Sequence, residues 1–373
     1  MKQKKGFAQV GVGQSSHEDS YLAGEEAISM ALDKHSGTPD VLIVFGSTRF
    51  DHRQLMAGIK SVAGEISTTG IGKHMSQDEA ACGVSLVEDI RNKKFLEDAL
   101  SLILFPNGMG GDGAKLINGL HSTLGSGFEI VGGHLGDDER FKYTFQYYDG
   151  KVYRDAIPGL LVSGKNGFHT GIGVRSGFES ICNRFYCTEA EGNVVKKFDG
   201  ERALNLYTEF LGEERAQRLP GICLEYPFGL IDEKVSIAGK EYFQLRCGLA
   251  VDHQKDTITL AASIPEGSAI TLTTASRSDI IIGATLAAKQ AKDSLKGAKP
   301  FANFMFSCVG RKLVLGRRTQ EEVLVVKKVL GEDVPLIGFY TYGEIGPIDK
   351  MKKDLAATKF HNETVVLWVL GNN

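Results

Sequence analysis

The chain has 373 residues, 42% of them hydrophobic and 24% charged, with a formal net charge of -3. Such values suit a soluble globular protein of about two domains, long enough to build cores without disulfides or metals. The near-neutral balance argues against a nucleic-acid or anionic-membrane surface, and no stretch approaches the roughly 20 apolar residues of a membrane span.

The basic start, Met1–Lys5, runs into a glycine-rich stretch too short for the apolar core of a signal peptide. A cytoplasmic protein is expected. Residues 40–46 (DVLIVFG) form an apolar run bounded by turn residues, which predicts a buried strand. Residues 51–62 carry Leu55, Ile59 and Val62 at helical spacing, with Asp51 as N-cap. A strand is predicted at 82–87 (CGVSLV) and another at 101–105 (SLILF). A helix at 114–124 and a strand at 128–133 follow. A hairpin over 143–153 turns at Asp149-Gly150.

A strand-rich section comes next, with strands at 157–163, 168–174, 242–246 and 257–261. Within it, Asp199-Gly200 reads as a turn, followed by a helix from Glu201 to Leu211 that Gly212 closes. A long helix spans 278–295. The C-terminal part reads as strand 301–306, helix 319–330, strand 334–339 and strand 364–370. Thr319 and Glu322 have the spacing of a capping box. The fold expected is α/β, with mixed sheets built from repeated strand-helix-strand-strand units in two closely packed domains, 1–198 and 199–373.

The six cysteines, Cys82, Cys182, Cys187, Cys223, Cys247 and Cys308, contain no Cys-x-x-Cys pair and read as buried reduced thiols. No metal site is expected. The loop 107–113 (NGMGGDG) lacks the lysine of a P-loop. Three C-terminal segments concentrate polar, aromatic and glycine residues: 303–311 (NFMFSCVGR), 334–347 (VPLIGFYTYGEIGP) and 360–367 (FHNETVVL). Their chemistry is that of a small polar ligand pocket. Glu344 is placed to accept a ligand ammonium, and Arg311 to clamp a ligand carboxylate or to pair with Glu344 or another acid. On a strand, Phe339 and Thr341 share one face and Tyr340 and Tyr342 the other, one facing the core and one the pocket. Ser307, Cys308, His361 and Asn362 complete the candidate set.

These segments resemble the FIST family, a pair of sensory domains, over nearly the whole chain. Residues 193–207 resemble the junction between its halves, and 130–141 (IVGGHLGDDERF) a part of the first. Where the family commonly shows Gly-x-Thr-x-x-Gly-Glu, this chain reads STTGIGKH over 67–74. The resemblance implies a FIST N-like and a FIST C-like domain that bind a small molecule, an amino acid being the usual proposal. It also implies a separate signalling partner, since no output domain is recognised in the sequence. No cofactor is expected unless the chain is one of the haem-binding members. A haem would need an axial histidine, and His17, His74, His134 and His361 lie beside polar or glycine-rich turns. An enzyme is not expected. The alternative is a thiol-dependent transferase or hydrolase using Cys308 with His361.

Overall fold

Alternation along the strands builds two sheets around a shared apolar interface. In the strand Lys299–Cys308, Ala302, Phe304 and Phe306 point to one side and Met305 to the other. In Val365–Asn372, Val366 and Trp368 oppose Val365, Leu367 and Val369 in the same way. This period of two buries both faces of each strand. The structure is a computed structural model that describes residues 9–33, 39–63, 70–93, 98–163, 167–237 and 240–373.

The four-stranded sheet runs Leu336–Thr341, Lys299–Cys308, Val365–Asn372, Phe168–Arg175. The six-stranded sheet runs Gly70–Lys73, Ala156–Ser163, Ala99–Leu104, Glu129–His134, Gly343–Pro347, Thr358–His361. Both are mixed, with parallel pairs only between Lys299–Cys308 and Leu336–Thr341 and between Ala99–Leu104 and Glu129–His134 among the described residues. Ile103 and Val131 of one sheet meet Ile172, Phe306 and Trp368 of the other. Helices Glu79–Asn92 and Gly113–Leu124 cover the outer face of the six-stranded sheet. Helices Arg277–Ser294 and Thr319–Leu330 cover that of the four-stranded sheet. The contact with Arg277–Ser294 is close. A Cβ on Gly173 would stand 1.8 Å from the Ala287 carbonyl oxygen, so only glycine lets the helix backbone approach.

A further sheet of nine strands, covered by helix Ala203–Leu211, holds its own core around Phe198, Tyr207 and Phe228. The two expected domains share sheets: Gly343–Pro347 pairs with Glu129–His134, and Val365–Asn372 with Phe168–Arg175. The α/β class and mixed sheets are as expected. Both Asp-Gly turns form, with positive φ at Asp149, Gly150, Asp199 and Gly200, as a two-residue hairpin loop demands. No helix of the described residues is long and apolar enough to cross a membrane.

Three local expectations are corrected. Residues 82–87 belong to helix Glu79–Asn92, capped by Asp78, whose carboxylate accepts from the Ala81 N–H at 2.9 Å. The buried set Cys82, Gly83, Leu86, Val87 and Ile90 has helical period. Residues 41–46 form no strand and join no ladder among the described residues. The Thr319–Glu322 capping box does not form: the N-cap of Thr319–Leu330 is Arg318, without a side-chain cap, and Glu322 is engaged elsewhere. Met1–Lys5 and Ser67–Thr69 lie outside the described residues.

Candidate functional site

The strand Lys299–Cys308 ends where Cys308 caps the short helix Val309–Leu315. That turn carries Ser307, Cys308 and Arg311 into the interior. Arg311 is fully buried, and its Nε and Nη2 donate to Glu322 Oε1 at 2.9 and 2.6 Å. Nη1 donates to the Ser176 carbonyl and Nη2 to that of Ile280. Ser307 Oγ donates to both Glu322 oxygens, at 3.2 and 3.0 Å. Arg311 therefore pairs with Glu322 and not with Glu344, and its guanidinium ties the short helix to both covering helices.

Glu344 is buried in the ladder opposite Gly133 and His361. Its Oε1 accepts from Thr341 Oγ1 at 2.5 Å, and its Oε2 from Thr364 N and Oγ1 at 3.1 and 2.8 Å. Burial pushes its carboxyl up to about 8 against the pull of those donors. Beside it, Glu363 Oε1 accepts from the thiols of Cys247 and Cys308 at 3.1 and 3.7 Å. Burial raises Glu363 to about 7. Its carboxylate rests on Gly310, where an added Cβ would stand 1.8 Å from Oε1. Burial, reinforced by the two glutamates, pushes both thiols well above their ordinary value, so neither is an activated nucleophile. His361 Nε2–H donates to the Gly346 carbonyl at 2.9 Å. Asn362 Oδ1 accepts from Cys247 N at 3.5 Å. The three sequence segments thus converge on one buried cluster. Cys247 and Glu363 were missed there. Glu363 follows Asn362 directly, but nothing local marks Cys247 at the end of an alternating strand.

Tyr340 and Tyr342 face the other way, into a cavity of about 320 Å³. Thr341 faces the buried cluster, while Phe339 also reaches the cavity wall. The wall is completed by residues 41–48, by Leu135, Gly136, Asp138 and Glu139, by residues 145–150 of the hairpin, and by Lys312. The Phe45 ring lies 4.9 Å from that of Phe339, tilted, and 5.6 Å from that of Phe105, edge-on, giving an aromatic flank. Charges of both signs line the cavity. Lys312 Nζ stands 2.8 Å from Glu139 Oε1, and Asp138 accepts from Ser47 and Thr48 at 3.3 and 2.5 Å. Tyr342 organises this loop. Its hydroxyl donates to Asp137 and accepts from the Asp137 and Glu139 amides at 3.2 and 3.0 Å. Asp137 also accepts from the amides of Phe141, Lys142 and Tyr143. Burial works to raise the Asp137 carboxyl, yet these donors hold it below its usual range.

Of the histidines considered as haem ligands, His134 and His361 are buried away from the cavity wall, held neutral at about 3 and 4 by burial. His17 and His74 are exposed. The histidine that lines the cavity is His52, hidden in the sequence inside an amphipathic helix. In the loop 107–113, Asp112 accepts from Ala114 N and its own amide donates to Glu79, so carboxylates already occupy that helix start.

A FIST N domain model matches residues 40–201 and a FIST C domain model residues 203–347. An uncharacterized protein of Mycobacterium tuberculosis is 23% identical over 369 residues, covering 91% of this chain and 95% of the relative. One of Mycobacterium bovis is 22% identical over 372 residues, covering 91% and 94%. One of Methanocaldococcus jannaschii is 29% identical over 266 residues, but covers 62% of this chain and 46% of that protein. Matched over both of its domains, the chain belongs to the FIST family of sensory domains.

Proposed function

We propose that the protein is a small-molecule sensor whose ligand, an amino acid or related metabolite, binds in the cavity flanked by Tyr340 and Tyr342, and that a separate protein reads the signal. One observation carries this reading: the cavity joins an aromatic flank at Phe45, Phe105 and Phe339 to charges of both signs at Asp138, Glu139 and Lys312. A mostly apolar wall with a few placed polar groups is the usual make-up of a small-molecule site. A zwitterion with an apolar side chain complements it. Of the nine candidate residues, Tyr340 and Tyr342 would touch the ligand. Ser307, Cys308, Arg311, Thr341, Glu344, His361 and Asn362 form the buried layer behind, and Lys312 follows Arg311 directly. That contiguity gives binding a route to bias the interior, provided the ligand interacts differently with two states.

A thermal-shift screen of the amino acids, common metabolites and haemin tests the reading, with Tyr340→Ala as control. A ligand at 100 times its Kd adds about 2.7 kcal/mol. An amino-acid or metabolite hit lost in Tyr340→Ala supports the assignment, and a flat screen, or haemin as the only hit, overturns it. Thiol chemistry at Cys308 draws less support, since burial and then the neighbouring Glu344 and Glu363 hold its proton on.

A further inference from the structure

Most polar groups on the cavity wall are already engaged. Asp138 accepts from Ser47 and Thr48, and Lys312 pairs with Glu139. Gln146 donates to Thr144 and accepts from the Ala156 amide. His52 differs. It opens the helix His52–Ala63, is 7% exposed, and packs its ring 4.2 Å from Phe145. Its Nδ1 lies 2.5 Å from the Tyr147 hydroxyl. Its Nε2 is buried and has no partner among the described residues. A buried polar nitrogen left unpaired is costly, and this one belongs to a residue that lines the cavity.

We assign the tautomer in which Nδ1 accepts from Tyr147. Among the described residues the Tyr147 hydroxyl proton has no acceptor except Nδ1, and burial pushes the phenol pKa up, so the proton stays on. With Nδ1 accepting, the imidazole hydrogen is on Nε2. Burial also lowers the His52 pKa, which keeps the ring neutral. His52 therefore holds a neutral N–H with no partner among the described residues at the edge of the cavity.

We propose that His52 is a ligand-binding residue, donating Nε2–H to a carboxylate or carbonyl oxygen of a molecule whose apolar body lies against Phe45, Phe105 and Phe339. The proposal rests on the cavity being the ligand site. It predicts selection for the acceptor end of the ligand over its amine.

The test uses the full chain with four probes: L-phenylalanine, L-leucine, 3-phenylpropionate (no amine) and phenethylamine (no carboxylate). Nitrogen-15 histidine spectra of the free protein should show His52 as the Nε2–H tautomer, and Tyr147→Phe should mix the tautomers. Calorimetric titration should rank 3-phenylpropionate above phenethylamine. His52→Ala and His52→Gln should weaken the carboxylate probes by about ten- to hundred-fold, the range of one hydrogen bond to a charged group. Should His52→Ala fail to fold, Tyr147→Phe keeps the imidazole and still predicts a few-fold loss. An Nδ1–H tautomer, equal binding of the two analogues, or His52 variants of unchanged affinity would overturn the proposal. So would haemin binding with an absorption band that His52→Ala abolishes. Binding lost in Tyr340→Ala but kept in the His52 variants removes this proposal and leaves the cavity reading standing. No binding of any probe to the wild type removes both.

Discussion

Arg311 and Glu322 form an ion pair with both side chains fully buried, Nη2 standing 2.6 Å from Oε1. A pair like this is weak evidence for net stability, because desolvation offsets much of the attraction. Its asymmetry is the useful property. Removing one partner leaves a buried charge uncompensated. Glu322→Gln or Arg311→Met should therefore destabilise by about 3–5 kcal/mol, read from urea unfolding midpoints. The double variant Arg311→Met/Glu322→Leu should recover a large part of that loss. If each single variant unfolds at the wild-type midpoint, the pair is not buried in solution.

Glu344 and Glu363 set a pH dependence whose sign is fixed by their direction. Burial raises both carboxyls in the folded chain, to about 8 and about 7, from 4.5. The folded state then holds protons that the unfolded state has lost, so their stability contribution is full below 4.5 and declines as pH rises through 7 and 8. His134 and His361 act oppositely. Their folded values are depressed to about 3 and 4, so their contribution is present above 6.5 and lost as pH falls below it. The two effects oppose each other between 4.5 and 6.5. Between pH 6.5 and 8 the glutamates act alone among these four, and stability should fall by up to about 1.4 kcal/mol per pH unit per proton. Denaturant titrations at several pH values should show this slope, and Glu344→Gln should flatten it. A slope that Glu344→Gln leaves intact belongs to another group.

Much of this fold is legible in the sequence where periodicity is strong and flanks are clear. The helices at 51–62, 114–124 and 319–330 and the strands around 301–306 and 364–370 form where expected. Short apolar runs are ambiguous, because a five- or six-residue window fits either period. Residues 82–87 are helical because Asp78 caps the chain four residues earlier, a signal outside the window. Residues 41–46 are strand-like in composition but join no ladder among the described residues, where packing against Phe339 and Tyr147 decides their place. The three C-terminal segments converge as their composition suggests, yet side-chain roles depend on partners far along the chain. Glu322 has the spacing of a cap and instead neutralises Arg311. Cys247 meets Cys308 only through Glu363, and His52 reaches the cavity only because the hairpin brings Tyr147 to its ring.

The cysteines should separate by reactivity. All six are free, and Cys182 is the half-buried one. Burial holds Cys82 at about 12 and Cys223 at about 11, and pushes Cys247 and Cys308 well above the ordinary range. The thiolate is the reacting species. Iodoacetamide should therefore label Cys182 first in the folded protein and reach Cys247 and Cys308 only on unfolding, as peptide mass mapping would show. Rapid native labelling of Cys308 would contradict this order and revive the thiol-enzyme reading.

Tyr342→Phe tests whether one hydroxyl holds the cavity's charged loop. The hydroxyl serves the Asp137 carboxylate and the amides of Asp137 and Glu139 together. Phenylalanine keeps the stack on Phe141, whose ring lies 4.6 Å away, so packing is preserved. What is lost is an acceptor for two amides and a donor to a carboxylate that three other amides still serve. Leaving such groups unpaired costs about 1–3 kcal/mol when they are buried, and less here because the loop is partly exposed. The effect should be local. Amides of residues 137 and 139 should exchange faster with solvent, and the Lys312–Glu139 pair should loosen, while amides in the strand Lys299–Cys308 keep wild-type protection. Unchanged exchange at 137 and 139 would mean that the Asp137 carboxylate holds the loop without Tyr342. Faster exchange throughout the sheet would mean that the hydroxyl supports the whole fold and not the cavity wall alone.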